Sequence, residues 1–284
     1  MTATARSVLI TGASSGIGEA SALRLARAGW RVFAGVRAEA DGARLRAAAG
    51  EQLEPVTIDV TEHATIAAVA AALGDKPLDG LVNNAGTALA MPLEFLPLEQ
   101  LRRQLEVNLV GHVAVTQALL PNLRSARGRI VNVGSIAGRS ALPFLGAYAA
   151  SKHALEAVTD ALRVELRPFG VAVTVIEPGT IATPIWRKGG ERFQELAAEL
   201  PEELGVLYGE RMTAFRDAAA AAGRRAEPAD EVAIVVERAL TAERPKARYV
   251  VGRDARRRAL VERLPVGLRD RVYERVLLRP HHTE

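Results

Sequence analysis

The sequence predicts an α/β fold with a mostly parallel sheet whose two faces are covered by helices. Short apolar runs alternate along the chain with longer segments in which apolar residues recur at helical spacing. Seven of the runs are nearly continuous in apolar residues, as strands buried on both faces should be. A glycine-rich stretch separates the first run from the first helical segment, which is typical of the first turn in a βαβ unit.

The predicted elements belong to one domain, because neither a linker nor an internal repeat divides the 284 residues. Strands are predicted at residues 7–10, 31–36, 55–58, 80–82, 129–133, 172–176 and 248–251. Helices are predicted at residues 17–28, 38–48, 62–73, 98–119, 149–166 and 229–240. Gly29 and Gly170 follow the first and fifth of these helices, as helix-ending glycines do.

Composition excludes several classes of protein. Hydrophobic residues make up 49% of the chain and charged residues 25%, which is ordinary for a globular domain. Since the chain has no cysteine, it has no disulfide framework, no thiolate metal site and no cysteine nucleophile. The short polar start does not resemble a signal peptide, and no apolar run is long enough for a membrane span. We therefore expect a cytoplasmic protein without a transmembrane segment.

Residues 184–228 form an insertion between the sixth and seventh strands. Their apolar residues recur at helical spacing, with Pro201 ahead of a second helix and with glycines that interrupt the stripe at Gly189, Gly190, Gly205 and Gly209. The insertion follows the carboxyl end of a strand, where open α/β sheets bind ligands. A mobile lid over the substrate and plain packing both explain this segment.

Residues 253–284 are predicted to form a basic helical extension. From residue 240 to the end we count 12 arginines and lysines against 6 acidic residues. Such a segment suits contact with a membrane surface or an acidic partner, or a solvated, ion-paired helix face. Because no aromatic residues interleave with the arginines, a nucleic-acid partner is not expected. The tail pair His281-His282 is expected to be disordered rather than metal-binding, and no metal site is predicted.

The segment from Thr11 to Gly18 reads TGASSGIG, between the first strand and the first helix. Glycines allow the backbone to approach a pyrophosphate, whose charge is favoured at a helix N-terminus. The spacing differs from the usual GxGxxG pattern, and a structural tight turn is the alternative explanation. Its place in the first βαβ unit nevertheless predicts dinucleotide binding.

Arg37 ends the second strand, where enzymes that prefer NAD place a carboxylate for the ribose hydroxyls. A guanidinium there suits the 2′-phosphate of NADP, which it can hold through two hydrogen bonds. The position therefore predicts NADP, with NAD as the less favoured cofactor. The alternative interpretation is that Arg37 is an ordinary surface arginine.

Tyr148 and Lys152 are four residues apart, so they share one face of a helix. A tyrosine is a poor base near neutral pH unless a cation stabilises its phenolate, and Lys152 can supply that charge. Ser135 follows a strongly apolar strand and is expected to lie at the strand's carboxyl end. A surface helix pair is the alternative explanation for Tyr148 and Lys152.

Taken together, these features resemble the classical short-chain dehydrogenase/reductase family. The matching motifs are the glycine-rich turn, Asn83-Asn84-Ala85-Gly86, Asn108, Ser135, Tyr148-x-x-x-Lys152 and Pro178-Gly179. The resemblance covers about residues 6 to 252 and implies a single doubly wound Rossmann-type domain with a seven-stranded sheet. It also implies a homodimer or homotetramer, built on the helices at 98–119 and 149–166.

The resemblance assigns roles to individual residues. Tyr148 matches the general acid/base, and Lys152 matches the lysine that lowers its pKa and holds the nicotinamide ribose. Ser135 matches the serine that hydrogen-bonds the substrate oxygen, and Asn108 the asparagine that helps hold a water in a proton relay. The residues matched to cofactor binding are Gly12, Ser14, Ser15, Gly16, Ile17, Gly18, Arg37, Asp59, Val60, Asn84, Ala85, Gly86, Tyr148, Lys152, Pro178, Gly179, Ile181 and Thr183. Ser15 stands where NADP-preferring members often carry a second basic residue, which is a departure from their pattern.

The implied reaction is hydride transfer between NADP(H) and a secondary alcohol or ketone with an apolar body. The insertion and the stretch from Glu165 to Gly170 resemble the steroid- and retinoid-dehydrogenase side of the family. A β-ketoacyl thioester reductase, which would use the same catalytic residues, is the alternative. A non-enzymatic dinucleotide sensor is less favoured, because such proteins usually lose the tyrosine or the lysine.

Overall fold

The structure, a computed structural model, describes residues 5–197 and 199–278. These residues contain one sheet of seven strands in the order β3-β2-β1-β4-β5-β6-β7, and every neighbouring pair is parallel. The strands are β1 Ser7–Ile10, β2 Arg31–Val36, β3 Leu53–Thr57, β4 Gly80–Asn83, β5 Arg129–Val133, β6 Ala172–Pro178 and β7 Arg248–Val251. The order reverses between β1 and β4, which creates a crevice at the carboxyl ends of these strands.

Helices cover both faces of the sheet, as predicted. They are α1 Gly16–Arg27, α2 Glu39–Ala49, α3 His63–Leu73, α4 Leu98–Leu105, α5 Gly111–Ala126, α6 Gly146–Glu165, α7 Ile185–Ala197, α8 Glu203–Gly223, α9 Ala229–Thr241, α10 Arg253–Val261 and α11 Val266–Leu277. On one face, buried side chains of α1, α2 and α9 pack on the strands, among them Leu25 and Val236. On the other face, Ile66 of α3 and Leu119 of α5 belong to a second core layer.

The predicted strands and helices all form, and most of their ends lie within three residues of the observed ones. The predicted strand at 55–58 begins earlier, at Leu53, and contains Pro55. Proline is tolerated there because β3 is an edge strand, whose outer hydrogen-bonding groups face no neighbour.

The predicted helix at 98–119 differs most from the structure. It consists of α4, a π-helical segment at Glu106–Val110, and α5, which continues through Pro121 to Ala126. A π-helical turn shifts the hydrogen bonds by one residue, and such turns are frequent at functional sites. The regular apolar spacing of the segment gave no sign of this interruption.

The insertion contains two helices, α7 and α8, which meet near Pro201 as predicted. The glycines do not interrupt them: Gly189 and Gly190 lie within α7, and Gly205 and Gly209 lie within α8. A Cβ at Gly189 would lie 2.3 Å from the carbonyl oxygen of Ala88, so close packing requires this glycine. That the insertion is a mobile lid stays a prediction.

The predicted basic extension is helical over its described part, in α10 and α11. Tyr273 of α11 is buried, and α11 packs against α8. His281 and His282 lie outside the described residues. Within the part of the chain that is described, no helix is both long and apolar enough to cross a membrane.

Candidate active site

A cleft of about 290 Å³ lies at the carboxyl ends of the central strands, where the strand order reverses. It is lined by the predicted site residues Gly12, Ser14, Ser15, Gly16, Ile17, Arg37, Asp59, Val60, Asn84, Ala85, Gly86, Ser135, Tyr148, Lys152, Pro178, Gly179, Ile181 and Thr183. The two other predicted residues, Gly18 and Asn108, lie behind this surface and support it. The fold therefore brings together residues that are up to about 170 positions apart in the chain.

The glycine-rich turn is shaped by residues that cannot carry a side chain. Gly12 and Gly16 have φ angles of +65° and +58°, a region that side-chain-bearing residues rarely adopt. A Cβ at Gly18 would lie 2.3 Å from the carbonyl oxygen of Gly12 and 2.4 Å from Nδ2 of Asn84. Helix α1 begins at Gly16, so its N-terminal amides adjoin the cleft.

Thr11 and Asn84 join the glycine-rich turn to the loop that follows β4. The Thr11 hydroxyl accepts hydrogen bonds from the backbone nitrogens of Asn84 and Ala85, at 3.0 and 3.1 Å. In return, Nδ2 of Asn84 donates to the carbonyl oxygens of Thr11 and Gly12, at 3.0 and 3.1 Å. These bonds hold two walls of the cleft in a fixed relation.

Arg37 and Asp59 lie together at one rim of the cleft. The Arg37 side chain is 69% exposed, and its Nη1 lies 3.8 Å from Oδ2 of Asp59. Burial raises the pKa of Asp59, but the hydrogen bonds from Thr61 and the charges of Arg37 and Arg103 together outweigh it and hold that pKa below its ordinary value. Asp59 is therefore an ionised acceptor, and Arg37 keeps donors free for a ligand.

Sequence reasoning missed three other cations at or beside the cleft. Arg103 and Lys188 line it, although neither belongs to a motif. Arg44 of α2 pairs with Glu19 and donates to the carbonyl oxygen of Ser14 at 2.7 Å, which places a second guanidinium against the glycine-rich turn. The charged lining is thus mostly cationic, as a phosphorylated ligand requires.

Tyr148 and Lys152 of α6 are buried on the same side of the helix, with 6% and 4% of their surfaces exposed. Lys152 Nζ donates to the carbonyl oxygen of Val133 at 2.9 Å. Burial lowers the pKa of Lys152 to about 8, although the nearby carboxylate of Glu156 opposes this shift. The ammonium thus lies at the end of β5, and both Lys152 and Tyr148 line the cleft.

Burial raises the pKa of Tyr148 above its ordinary value. The groups that oppose this rise are the Ser135 hydroxyl and the guanidinium of Arg258. Lys152 is not among them, although its ammonium is 5.9 Å from the centroid of the Tyr148 ring. The lowering of this pKa by Lys152 therefore stays a prediction, and Arg258 is a cation that sequence reasoning did not connect with Tyr148.

Asn108 lies in the π-helical segment and is fully buried. Its Oδ1 accepts from the backbone nitrogen of Thr87 at 2.8 Å, and its Nδ2 donates to Thr87 O at 2.9 Å and to Ser151 Oγ at 3.0 Å. Ser151 in turn donates to the carbonyl oxygen of Tyr148 at 2.7 Å. Asn108 thus braces the helix turn that carries Tyr148, and its expected relay water stays a prediction.

A second cavity, of about 600 Å³, adjoins the first at Ser135 and Tyr148. Its walls are mostly apolar, with Phe144, Phe193 and Phe215 among them, and Trp186 packs edge-on against Tyr148 at 5.6 Å between ring centroids. The insertion helices supply much of this lining. Sequence reasoning placed a ligand near the insertion and named Trp186 and Phe193 in its apolar stripe, but it did not identify Phe144 or Phe215.

Arg258 of α10 also lines the second cavity and was missed at the sequence level. It follows Arg256 and Arg257, which are exposed, so the run of three arginines resembles an ordinary solvated surface. Its burial and its contact with the distant Ser140 distinguish it from these neighbours. No local pattern identifies such a residue.

Comparison with known proteins agrees with this geometry. A family profile described as short chain dehydrogenase matches residues 6–193. The chain is 37% identical to human 17-beta-hydroxysteroid dehydrogenase type 6, over 96% of this chain and 89% of that protein. It is 40% identical to human retinol dehydrogenase 16, over 88% of this chain and 81% of that protein.

A solved structure has the same fold over nearly the whole chain. A short chain dehydrogenase from Burkholderia cenocepacia, in complex with NADP, superimposes with a TM-score of 0.72 at 28% identity. The match covers 97% of this chain and 98% of the other.

Proposed function

The chain belongs to the short-chain dehydrogenase/reductase family, and on that premise we propose that it interconverts ketones and secondary alcohols with apolar bodies, using NADP(H). Membership in the family makes it an NAD(P)-dependent oxidoreductase that acts on CH–OH groups. One observation carries the proposal further: Ser135 and Tyr148 line both the cationic cleft and the apolar cavity. A substrate whose oxygen contacts both hydroxyls would therefore face the cofactor in the cleft and would place its apolar body in the second cavity.

The cleft fits a phosphorylated dinucleotide. The turn from Gly12 to Gly18 forms a cradle that a Cβ at Gly18 would fill, beside the N-terminus of α1. Arg37, Arg103 and Lys188 supply charge complementary to phosphates. On this geometry, the glycine-rich turn would hold the pyrophosphate and Lys152 the nicotinamide ribose.

The proposed chemistry assigns one task to each hydroxyl. A bound nicotinamide cofactor would supply the hydride in reduction and accept it in oxidation. In reduction, the Tyr148 hydroxyl donates a proton to the substrate oxygen, and in oxidation its phenolate accepts that proton. The Ser135 hydroxyl donates a hydrogen bond to the same oxygen and stabilises the negative charge that develops there. Asn108 positions the Tyr148 turn through Ser151.

NADP is proposed over NAD because a guanidinium stands at the end of β2. Arg37 is exposed at the rim of the cleft, with donors available for a 2′-phosphate. Arg44 brings a second guanidinium to the glycine-rich turn, near Ser15, where the resemblance led us to expect a basic residue. The NADP complex of the Burkholderia structure also supports this preference.

An apolar substrate is proposed from the character of the second cavity and from the names of the relatives. The cavity is lined by aromatic and aliphatic side chains of α7 and α8. The two human relatives are named for a steroid and for retinol, which are both large and apolar.

The proposal is tested by following oxidation of NADPH and of NADH with steroid ketones, retinal, simple ketones and an acetoacetyl thioester. We expect turnover of the bulky apolar ketones, faster with NADPH. Preferential reduction of the acetoacetyl thioester would instead indicate a β-ketoacyl reductase. Cofactor binding without turnover of any compound, in a preparation whose fold is verified by circular dichroism, would overturn the enzymatic proposal and indicate a sensor.

A further inference from the structure

The charged side chains that line the apolar cavity all carry a positive charge. These side chains are Arg187, Arg216 and Arg258, and among the residues that the structure describes neither an aspartate nor a glutamate lines the cavity. Arg187 pairs with Glu191, which lies outside the lining, so this charge is partly balanced. A neutral steroid or retinoid would not require cations at this place.

Arg258 differs from the surface arginines of its helix because it is largely buried. Its Nη2 donates to the carbonyl oxygen of Ser140 at 2.9 Å, and its Nε lies 3.3 Å from the Ser140 hydroxyl. Across residues 5–197 and 199–278, Arg258 forms no ion pair with a carboxylate. Nη1 and Nη2 each retain an N–H group that is not used in these contacts. Two such N–H groups, side by side, can donate two parallel hydrogen bonds to the oxygens of an oxo-acid.

The position of Arg258 is held by a hydrogen-bond chain. The Ser140 hydroxyl lies 2.8 Å from the hydroxyl of Tyr273, which donates to Oε1 of Glu262 at 2.6 Å. Ser140 and Tyr273 are both buried. Rigid support of this kind lowers the entropy lost when a side chain binds a ligand.

The carboxylates nearest to Arg258 are engaged elsewhere. Oδ2 of Asp254 accepts from the backbone nitrogen and the hydroxyl of Thr180, both at 2.7 Å. Glu262 accepts from Tyr273 and forms an ion pair with Arg269 at 3.0 Å. The charges of both carboxylates raise the pKa of Arg258, but neither carboxylate accepts a hydrogen bond from it.

An arginine in this environment is costly unless it meets an anion. Burial lowers the pKa of Arg258, yet a guanidinium stays protonated in proteins, so the charge persists in a mostly apolar wall. A bound anionic group would balance that charge. Because Arg258 acts electrostatically on Tyr148, the anion would lie in the same cavity as the reacting oxygen.

We propose that the substrate of this enzyme is an apolar ketone or alcohol that also bears an anionic group, a carboxylate or a sulfonate, and that Arg258 binds this group. The inference rests on the proposed reaction and narrows its substrate to hydroxy or oxo acids. Arg216, which also lines the cavity and forms no ion pair within the described part of the chain, adds to the attraction.

The test compares oxo-steroid acids and oxo fatty acids with their methyl esters and with the corresponding sulfonates. In the wild-type enzyme we expect kcat/KM for the acid to exceed that for its ester, mainly through a lower KM. The Arg258→Gln variant should lower the acid-to-ester ratio of kcat/KM by at least about tenfold, because a charge-assisted pair is lost. Arg258→Lys should restore part of the ratio, and preference between carboxylate and sulfonate identifies the anion.

Arg257→Gln is the matched control, because Arg257 is an exposed arginine of the same helix. It should leave the acid-to-ester ratio unchanged. Equal kcat/KM for acid and ester in the wild type would overturn the inference, as would an Arg258→Gln variant with an unchanged ratio.

Binding is measured separately from turnover, by calorimetry of the wild-type enzyme with NADP⁺ and each oxo acid or its primary amide, a combination that cannot react. Tighter binding of the acid supports the inference even where no compound is reduced, a result that would contradict only the proposed reaction. Equal affinity for acid and amide overturns the inference even if both are reduced. This arm does not depend on the folding of any variant.

Discussion

The ammonium of Lys152 lies 5.9 Å from the centroid of the Tyr148 ring and donates to the carbonyl oxygen of Val133 at 2.9 Å. The lysine is thus tied to the end of β5 rather than to the phenol. Because both side chains are buried, the field around the tyrosine is set by few groups. The groups that oppose the effect of burial on the pKa of Tyr148 are Ser135, which follows β5, and Arg258 of α10.

Replacement of Tyr148 by phenylalanine should abolish turnover and leave NADPH affinity nearly intact. Phenylalanine keeps the packing against Trp186 but removes the proposed acid, and general acid–base catalysis contributes roughly 10²–10⁴-fold. Steady-state kinetics and cofactor titration measure the two effects. Tyr249→Phe, in β7, is the control and should retain activity. If Tyr148→Phe stays within tenfold of the wild type, Tyr148 is not the acid/base.

Replacement of Arg37 by aspartate should shift the cofactor preference toward NAD. A carboxylate would repel the 2′-phosphate and would accept hydrogen bonds from the ribose hydroxyls. The measurement is the ratio of kcat/KM for NADPH and NADH, which should fall by at least about tenfold for loss of one charge-assisted contact. Arg31→Asp, at the start of the same strand, is the control. An unchanged ratio would show that another residue recognises the 2′-phosphate, and Arg44 would be the next residue to test.

Glu156 should make the protein less stable as the pH rises from 5 to 8. Burial raises the pKa of this carboxyl to about 7, the charge of Glu177 adds to the rise, and Arg248 and Arg139 oppose it. The folded state then holds a proton that the unfolded state has released, so the free energy of unfolding falls between the unfolded pKa of about 4.5 and the folded value. The loss is at most about 3 kcal/mol from this group.

Glu156→Gln removes the titrating group and keeps an oxygen for Arg248. Urea unfolding at pH 5 and pH 8 should therefore show a smaller decrease in stability for this variant than for the wild type. Glu165→Gln, at the exposed end of the same helix, should leave the decrease unchanged. If the wild type and Glu156→Gln lose the same free energy of unfolding between pH 5 and pH 8, the group that titrates is another carboxyl.

Gly189 and Gly190 should respond in opposite ways to alanine. A Cβ at Gly189 would lie 2.3 Å from Ala88 O, so Gly189→Ala must displace α7 from the loop that walls the apolar cavity. No atom of the described residues lies within 4 Å of a Cβ at Gly190, so Gly190→Ala should stabilise the helix by about 0.5–1 kcal/mol. Thermal melting and the KM for an apolar ketone report the two effects. Equal melting temperatures for the two variants would show that the close approach is not maintained in solution.

The sequence alone was sufficient for the sheet, most helices and the residues that line the cleft at the carboxyl ends of the strands. Apolar periodicity is a local property, and strands buried on both faces produce it without reference to any distant residue. The glycine-rich turn and the pair Tyr148 and Lys152 are likewise local, since each lies within a stretch of at most eight residues. For these features, the tertiary structure added distances and burial.

Only the tertiary structure decided what lines the apolar cavity. Arg258 lines the cavity because α10 packs beside Ser140, 118 residues away in the chain, and Gly189 is required because α7 meets the loop at Ala88. The π-helical turn at Asn108 also arises without a change in apolar spacing. Such features depend on contacts between distant segments, and the sequence pattern of either segment is the same whether or not the contact forms. That is why the class of reaction follows from motifs, whereas the charge of the apolar cavity follows from packing.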